Sequence, residues 1–242
     1  MNLLIDMGNT RLKWGVSNNL CIPPGLPISN TQINRNTLIQ LWQNVTLPDQ
    51  VAISCVSARQ LFDLVSSVAY ELWPGISIIL AKSAATAFGI CNAYQQPEKL
   101  GVDRWLCLLA AYYSYRKALC IVDCGTAITV DVIDASGKHL GGMISPGLRL
   151  MKESLALGTE NLKANEATFP FGLAKSTDAA IYNGTLSAAC GLIELVLQNY
   201  PGPLQLLLTG GDAEIIATHL SRPAIIDPDL VLRGLALTLK KS

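Results

Sequence analysis

Charge is scarce in this 242-residue chain. Only 15% of residues are charged, 18 basic against 18 acidic, so the formal net charge is zero. No lysine- or arginine-rich run is present, which argues against nucleic acid or a membrane surface as the principal partner. Histidine is scarcer still: His139 and His219 are far apart, and a histidine-based catalytic triad finds no support. Long apolar runs are missing too. Stretches such as Trp105 to Tyr113 fall well short of the roughly 18 residues a membrane helix needs. The N-terminus lacks the basic start and extended apolar region of a secretory signal. The seven cysteines (21, 55, 91, 107, 120, 124 and 190) are odd in number, scattered, and contain no Cys-x-x-Cys pair. Most sit in apolar segments, where a free cysteine behaves as a small hydrophobe. A reduced, cytoplasmic protein is expected rather than a disulfide scaffold. Cys120 and Cys124 share a strand face, but no further metal ligands lie near them in sequence. Neither a Gly-x-x-x-x-Gly-Lys-[Ser/Thr] loop nor a Gly-x-Gly-x-x-Gly fingerprint occurs, which disfavours P-loop and dinucleotide-binding chemistry.

What is present is apolar material in abundance. Half of the residues are hydrophobic, enough for a substantial core in one large or two small domains. The chain opens with a short buried strand, Leu3 to Ile5, that runs into Asp6-Met7-Gly8-Asn9-Thr10. Leu12, Trp14 and Val16 then alternate with Arg11 and Lys13, which is strand periodicity with the two cations on the opposite face. Ser17-Asn18-Asn19 supplies turn residues.

About 117 residues later the layout recurs. Ala118 to Val122 is a buried strand, Asp123-Cys124-Gly125-Thr126-Ala127 follows, Ile128, Val130 and Val132 alternate, and Ala135-Ser136-Gly137 makes a turn. A second unit repeats more faintly. Val51 to Val56 leads through Ser57-Ala58 into a helical pattern, and Leu204 to Leu208 leads through Thr209-Gly210-Gly211-Asp212 into another. The expectation is a duplicated α/β architecture with domains 1–117 and 118–242. Helices are expected from about Arg104 to Arg116, buried all round, from Asp178 to Gln198, and from Gly147 to Leu157. Residues 22–50, with Pro23-Pro24 and Pro27, read as surface loop and variable strand.

An Asp-x-Gly sequence at a strand end admits two readings. One is a tight hairpin whose glycine relieves the backbone. The other is an anion site: glycine lets successive N–H groups approach a phosphate, and Asn9, Thr10, Thr126 and Thr129 add neutral donors. Lys13 adds a point charge suited to a polyphosphate. Two copies favour the anion site. Asp6 and Asp123 would repel phosphate directly, but carboxylates suit hard cations. Gly210-Gly211 is small enough for a flat adenosine to lie against.

These stretches resemble the acetate/sugar kinase, Hsp70 and actin superfamily, and more specifically type III pantothenate kinase. The likeness is carried by Asp6 to Gly15, Asn92 to Pro97, Leu100-Gly101-Val102-Asp103-Arg104-Trp105, Asp123 to Ala127, Gly141 to Gly147, Ser176-Thr177 and Thr209 to Ala213. They follow the family's order and cover most of the chain. The resemblance implies two duplicated actin-like (ribonuclease H-like) domains, with mixed sheets flanked by helices and a nucleotide cleft between them. It implies ATP-dependent phosphorylation of pantothenate, the first step of coenzyme A synthesis, in a homodimer that needs Mg2+ with ATP and a monovalent cation, K+ or NH4+.

Residue by residue, the resemblance makes Asp6, Met7, Gly8, Asn9, Thr10, Arg11, Leu12, Lys13 and Thr126 ATP contacts, and Asp123 the monovalent-cation ligand. It makes Tyr94, Gly101, Val102, Asp103, Arg104 and Thr177 contacts to pantothenate, with Asp103 the catalytic base and Thr177 supplied by the neighbouring subunit. Read without it, Asp103 and Thr177 are helix N-caps, Arg104 and Lys13 exposed cations, and Tyr94 a half-buried aromatic with its hydroxyl in water. Three rival functions remain: a non-catalytic regulatory member of the same family, a different small-molecule kinase such as a sugar kinase, and a polymerising ATPase.

Overall fold

The computed structural model describes residues 1–18, 27–158 and 167–239. The first half runs β1 (Asn2–Met7), β2 (Arg11–Ser17), β3 (Ile28–Ser29), α1 (Arg35–Trp42), β4 (Val51–Cys55), α2 (Arg59–Leu72), β5 (Ile78–Leu80), the small hairpin β6 (Thr86–Ala87) and β7 (Ile90–Cys91), and α3 (Val102–Tyr115). The second runs β8 (Leu119–Cys124), β9 (Ala127–Ile133), β10 (His139–Pro146), α4 (Leu148–Gly158), α5 (Thr177–Asn199), β11 (Gln205–Thr209), α6 (Ala213–Ala217), β12 (Ile225–Ile226) and α7 (Leu230–Thr238). The chain divides into two compact units, residues 1–116 with 229–242, and residues 117–228.

In the first unit the strand order is β3-β2-β1-β4-β5. Strands β1 and β2 are antiparallel, whereas β4 and β5 run parallel to β1. Alternation sends Leu3, Ile5, Met7, Leu12 and Ile53 to one face, where they pack on Leu38, Trp42, Val65 and Val68 of α1 and α2. Helices α3 and α7 pack on each other and on β4, and α7 also packs on β1. Their contact is close because Gly234 of α7 has no side chain: a Cβ there would lie 2.1 Å from the Leu106 carbonyl oxygen.

The second unit has the order β10-β9-β8-β11-β12, the same topology. Its core joins Cys120, Val122 and Cys124 of β8 to Leu186 and Ile193 of α5 and Ile216 of α6. Cys120 and Cys124 do share a face. Deep in this unit Asp131 and His139 form a pair at 2.9 Å, 2% and 0% exposed. It sits beside a β-bulge that follows His139, where Gly141 takes φ +113°. Sequence reasoning gave His139 no role, and its partner eight residues upstream carried no signal.

Several elements differ from expectation. The last helix, counted with residues 118–242, packs on α3 in the first unit. No helix was expected there. Residues 28–42, read as surface loop and variable strand, hold the short strand β3 but also a 3-10 turn and helix α1; residues 19–26, including Asn19 of the expected turn, lie outside the described residues. Helix α3 begins two residues earlier than expected, at Val102, so Asp103 lies inside its first turn and Gly101 is the N-cap. Likewise Thr177 is the first residue of α5 and Ser176 is the N-cap, with no side-chain capping bond. Helix α5 is also long and apolar enough to cross a membrane by length and composition alone; Tyr182, Leu186, Ile193 and Leu197 are buried in the core of its own unit.

Candidate active site

The two Asp-x-Gly turns are built alike. Asp6 is the next-to-last residue of β1, and its register partners are Lys13 on β2 and Ser54 on β4. Asp123 is the next-to-last residue of β8, and its partners are Thr129 on β9 and Thr209 on β11. Partners in register project to one face of a sheet. Each unit therefore presents a cross-strand row with a carboxylate at its centre, Lys13–Asp6–Ser54 in one and Thr129–Asp123–Thr209 in the other.

The first turn is braced from outside. Gly8 N–H donates to the Arg11 carbonyl at 3.0 Å. Asn30 Nδ2 donates to the Gly8 carbonyl at 2.9 Å, and Asn30 N–H donates to the Thr10 carbonyl at 2.9 Å. Asn30 was missed at the sequence level: β3, which carries the chain to it, has only two residues and no periodicity to read. Arg11 and Asn9 are exposed, Gly8, Thr10 and Lys13 partly so, and Met7 and Leu12 are buried in the core. Met7 and Leu12 therefore hold the turn from below and offer a ligand only backbone.

The second turn is backed by two other chain segments. Gly147 N–H donates to the Thr126 carbonyl at 2.9 Å, and a Cβ on Gly147 would lie 2.2 Å from the Gly125 carbonyl oxygen. Gly210, at φ +91°, would bring a Cβ within 2.5 Å of both Asp123 Oδ1 and the Cys124 carbonyl. Asp212 N–H donates to that same carbonyl at 3.0 Å. Only glycine fits at either point, so the Thr209-Gly210-Gly211 signature is a backbone-packing requirement here.

A third cluster lies at the start of α3, in the first unit. Asp103 Oδ1 accepts the N–H of Arg104 at 2.8 Å. This fixes the carboxylate at the helix start, where the helix dipole stabilises negative charge. A Cβ on Gly101 would stand 2.6 Å from that Oδ1. Arg104 is buried, at 5% exposure, contrary to the surface cation its sequence context allowed. Its Nη1 donates to Tyr94 Oη at 2.9 Å, and its guanidinium lies 5.7 Å from the Tyr94 ring centre. Tyr94 is placed by Asn92, whose Oδ1 accepts the Tyr94 N–H at 3.0 Å and whose Nδ2 donates to the carbonyls of Ala84 and Pro97. A buried guanidinium fork beside a phenol suits a carboxylate-bearing ligand, and the adjoining aspartate suits a proton acceptor. Val102, between Gly101 and Asp103, is partly exposed.

The structure thus unites Asp6, Lys13 and Ser54, and separately Tyr94, Gly101, Asp103 and Arg104, all in the first unit. Asp123, Thr126 and Thr177 belong to the second, where Thr177 is exposed at the start of α5. Among the described residues no group of three or more His, Cys, Asp or Glu could cage a metal. The donor sets are single carboxylates, Asp6 between Lys13 and Ser54 and Asp123 between two threonines. They fit hard cations that keep most of their ligands from water and phosphate, and not a soft or all-protein site.

Comparison with known proteins decides the family. The model of the type III pantothenate kinase family matches residues 2–199. The chain belongs to that family. A type III pantothenate kinase from Nitrosococcus oceani is 37% identical over 99% of this chain and 94% of its own. Among solved structures, a protein from Campylobacter jejuni described as a Baf family transcriptional activator superposes with a TM-score of 0.59 at 22% identity, covering 96% of this chain and 94% of that one. A ROK hexokinase from Thermus thermophilus superposes with a TM-score of 0.50 at 11% identity, covering 98% and 97%. At those identities the structures speak for the fold alone, and the fold is the actin-like kinase fold.

Proposed function

We propose that the protein transfers the γ-phosphoryl group of ATP to the terminal hydroxyl of pantothenate, forming 4′-phosphopantothenate at the head of coenzyme A synthesis. The observation that carries this reading is the Tyr94–Arg104–Asp103 arrangement at the start of α3, in a chain of this family. Arg104 pairs with the pantothenate carboxylate, which a neutral sugar lacks. Asp103 orients the attacking hydroxyl and takes its proton. An ordinary aspartate, with a pKa of roughly 3.9, is ionised at neutral pH. It is a weak base, yet phosphoryl transfer asks mainly for alignment and charge stabilisation. Each Asp-x-Gly turn serves as a phosphate-binding element: Gly8 to Lys13 offers N–H groups and an ammonium, and Thr126 a hydroxyl. Mg2+ accompanies ATP and offsets its charge, and Asp123 holds the monovalent cation, K+ or NH4+.

The protein acts as a homodimer in this reading, with Thr177 of a second copy completing the pantothenate site. The surface that supports it is on the second unit. Strand β10 is a sheet edge that exposes Leu140, Met143 and Ile144, at 45%, 47% and 63%. A groove of about 420 Å3 separates it from Leu195 and Val196 of α5. The exposed side of α5 carries Gly184, Ala188, Gly191 and Leu195; Glu194, beside Leu195, accepts the Ser221 N–H. An unpaired apolar edge of this kind is a liability unless covered, and an edge strand pairs readily with its own copy across a two-fold axis. The testing experiment follows ADP release with pantothenate and with a panel of sugars, with and without K+. Release that requires pantothenate supports the proposal. Release with a sugar alone, or none from folded protein supplied with both cations, overturns it in favour of another kinase or a regulatory member.

A further inference from the structure

Ser54 is a polar residue inside an otherwise apolar strand, Val51-Ala52-Ile53-Ser54-Cys55. It is 0% exposed, and its hydroxyl makes no hydrogen bond. Buried hydroxyls are almost always partnered, because an unmet one forfeits its interaction with water. A fully buried donor without an acceptor in the ligand-free molecule points to an acceptor that arrives in another state. In register with it on β1 is Asp6, a carboxylate. On the other side of Asp6, in the same row, stands Lys13.

We infer that Ser54 is a positioning residue that acts through Asp6 when nucleotide binds. The inference rests on the reading above in which Lys13 faces the ATP phosphates. Lys13 has one ammonium group. In the ligand-free row it is the cation adjacent to the Asp6 carboxylate, and opposite charges in register attract. Once a polyphosphate draws Lys13 away, Asp6 is left as a carboxylate beside additional negative charge. Ser54 then supplies an O–H donor from the far side, and a charge-assisted bond of that kind is short and strong. It holds the Asp6 carboxylate in place, turned toward the cation that travels with ATP. The hydroxyl makes no bond in one state so that it is available in the other. The corresponding place in the second unit is also filled by a hydroxyl residue, Thr209, in register with Asp123 and 2% exposed.

The experiment compares wild type, Ser54→Ala, Ser54→Thr, Asp6→Asn and the Asp6→Asn/Ser54→Ala double variant. Affinity for MgATP is measured by calorimetry without pantothenate, and the thermal midpoint is measured without nucleotide. Removing an unpartnered buried hydroxyl leaves the nucleotide-free midpoint unchanged or raised. Ser54→Ala weakens MgATP binding about tenfold, Ser54→Thr restores it, and in the Asp6→Asn background the alanine change has no further effect. A merely structural serine gives the opposite pattern: a lowered nucleotide-free midpoint and a loss that persists in Asp6→Asn. That result, or wild-type affinity in Ser54→Ala, overturns the inference while leaving the kinase reading intact. Failure of the wild type to bind MgATP overturns both.

Discussion

Gly234→Ala gives a sharp test of how the start of α3 is held, because two effects of known sign oppose each other. In a helix interior, alanine is favoured over glycine by about 1 kcal/mol. On propensity alone the variant is more stable. The packing says otherwise. The added Cβ would lie 2.1 Å from the Leu106 carbonyl oxygen, 2.6 Å from its carbonyl carbon and 2.8 Å from its Cα. All three are backbone atoms, so no side chain can swing aside. Ordinary contact at about 3.5 Å requires α3 and α7 to part by roughly 1.4 Å. Overpacking of this kind costs typically 1–3 kcal/mol, and the upper end applies where nothing yields. The net expectation is a loss of about 2 kcal/mol, or roughly 4–8 °C in thermal midpoint for a chain of this size. Leu106 is three residues beyond Asp103, so the shift reaches the candidate base, and turnover falls more than ATP affinity does. Calorimetric melting and steady-state kinetics of the purified variant check both. A midpoint at or above wild type refutes the close α3–α7 contact, and an unchanged kcat refutes the link to Asp103.

Arg104→Ala raises KM for pantothenate about 10- to 100-fold, the worth of a charge-assisted hydrogen bond at roughly 1.5–3 kcal/mol, with a smaller change in KM for ATP. Met143→Glu or Leu195→Glu, each placing a carboxylate on the exposed apolar surface of the second unit, yields a monomer by light scattering, and the monomer lacks pantothenate-dependent turnover. Burial pushes the Cys120 thiol up to about 12 and that of Cys190 to about 11, and raises Cys124 further. In mass-mapped alkylation of the folded protein at pH 8 these three stay unmodified and the exposed Cys91 reacts. Glu194 is held below the usual carboxylate range chiefly by the Ser221 backbone N–H, which donates to it at 2.7 Å. A lowered folded-state pKa gives stability that is full at neutral pH and is lost as pH falls through the carboxylate range. Glu194→Gln therefore melts below wild type at pH 7, and the gap narrows as pH falls through and below the usual carboxylate range.

The duplication was legible because it rests on period-2 alternation and glycine, both local signals: Asp6 and Asp123 occupy the same place in matching sheets. What each carboxylate faces was not legible, since Ser54 and Thr209 come into register from strands far along the chain. The burial of α3 was readable from its apolar surround, but its start was misread. Asp103 looks like a cap, and only the structure reveals that Gly101 takes that place, with Asp103 inside the first turn. Helix α7 is apolar on most sides, a pattern that signals burial without a direction, so its return to the first unit could not be read. Gly234 was the one trace of that contact. Asn30 lies where no periodic element announced itself, and its role in bracing Gly8 and Thr10 is purely tertiary. The Arg104–Tyr94 pair joins residues ten apart, each named separately in the sequence; their hydrogen bond depends on the turn that Asn92 organises.

The central claim is that Asp103 serves pantothenate phosphorylation in this chain. Mass spectrometry of the products tests it most directly, after wild type and Asp103→Asn are incubated with ATP, Mg2+, K+ and pantothenate. The wild type yields 4′-phosphopantothenate in stoichiometric balance with ADP. Turnover falls by about 10²-fold or more in Asp103→Asn, with MgATP affinity retained. A wild type that makes no phosphopantothenate, or an Asp103→Asn variant that makes it at the wild-type rate, contradicts the account.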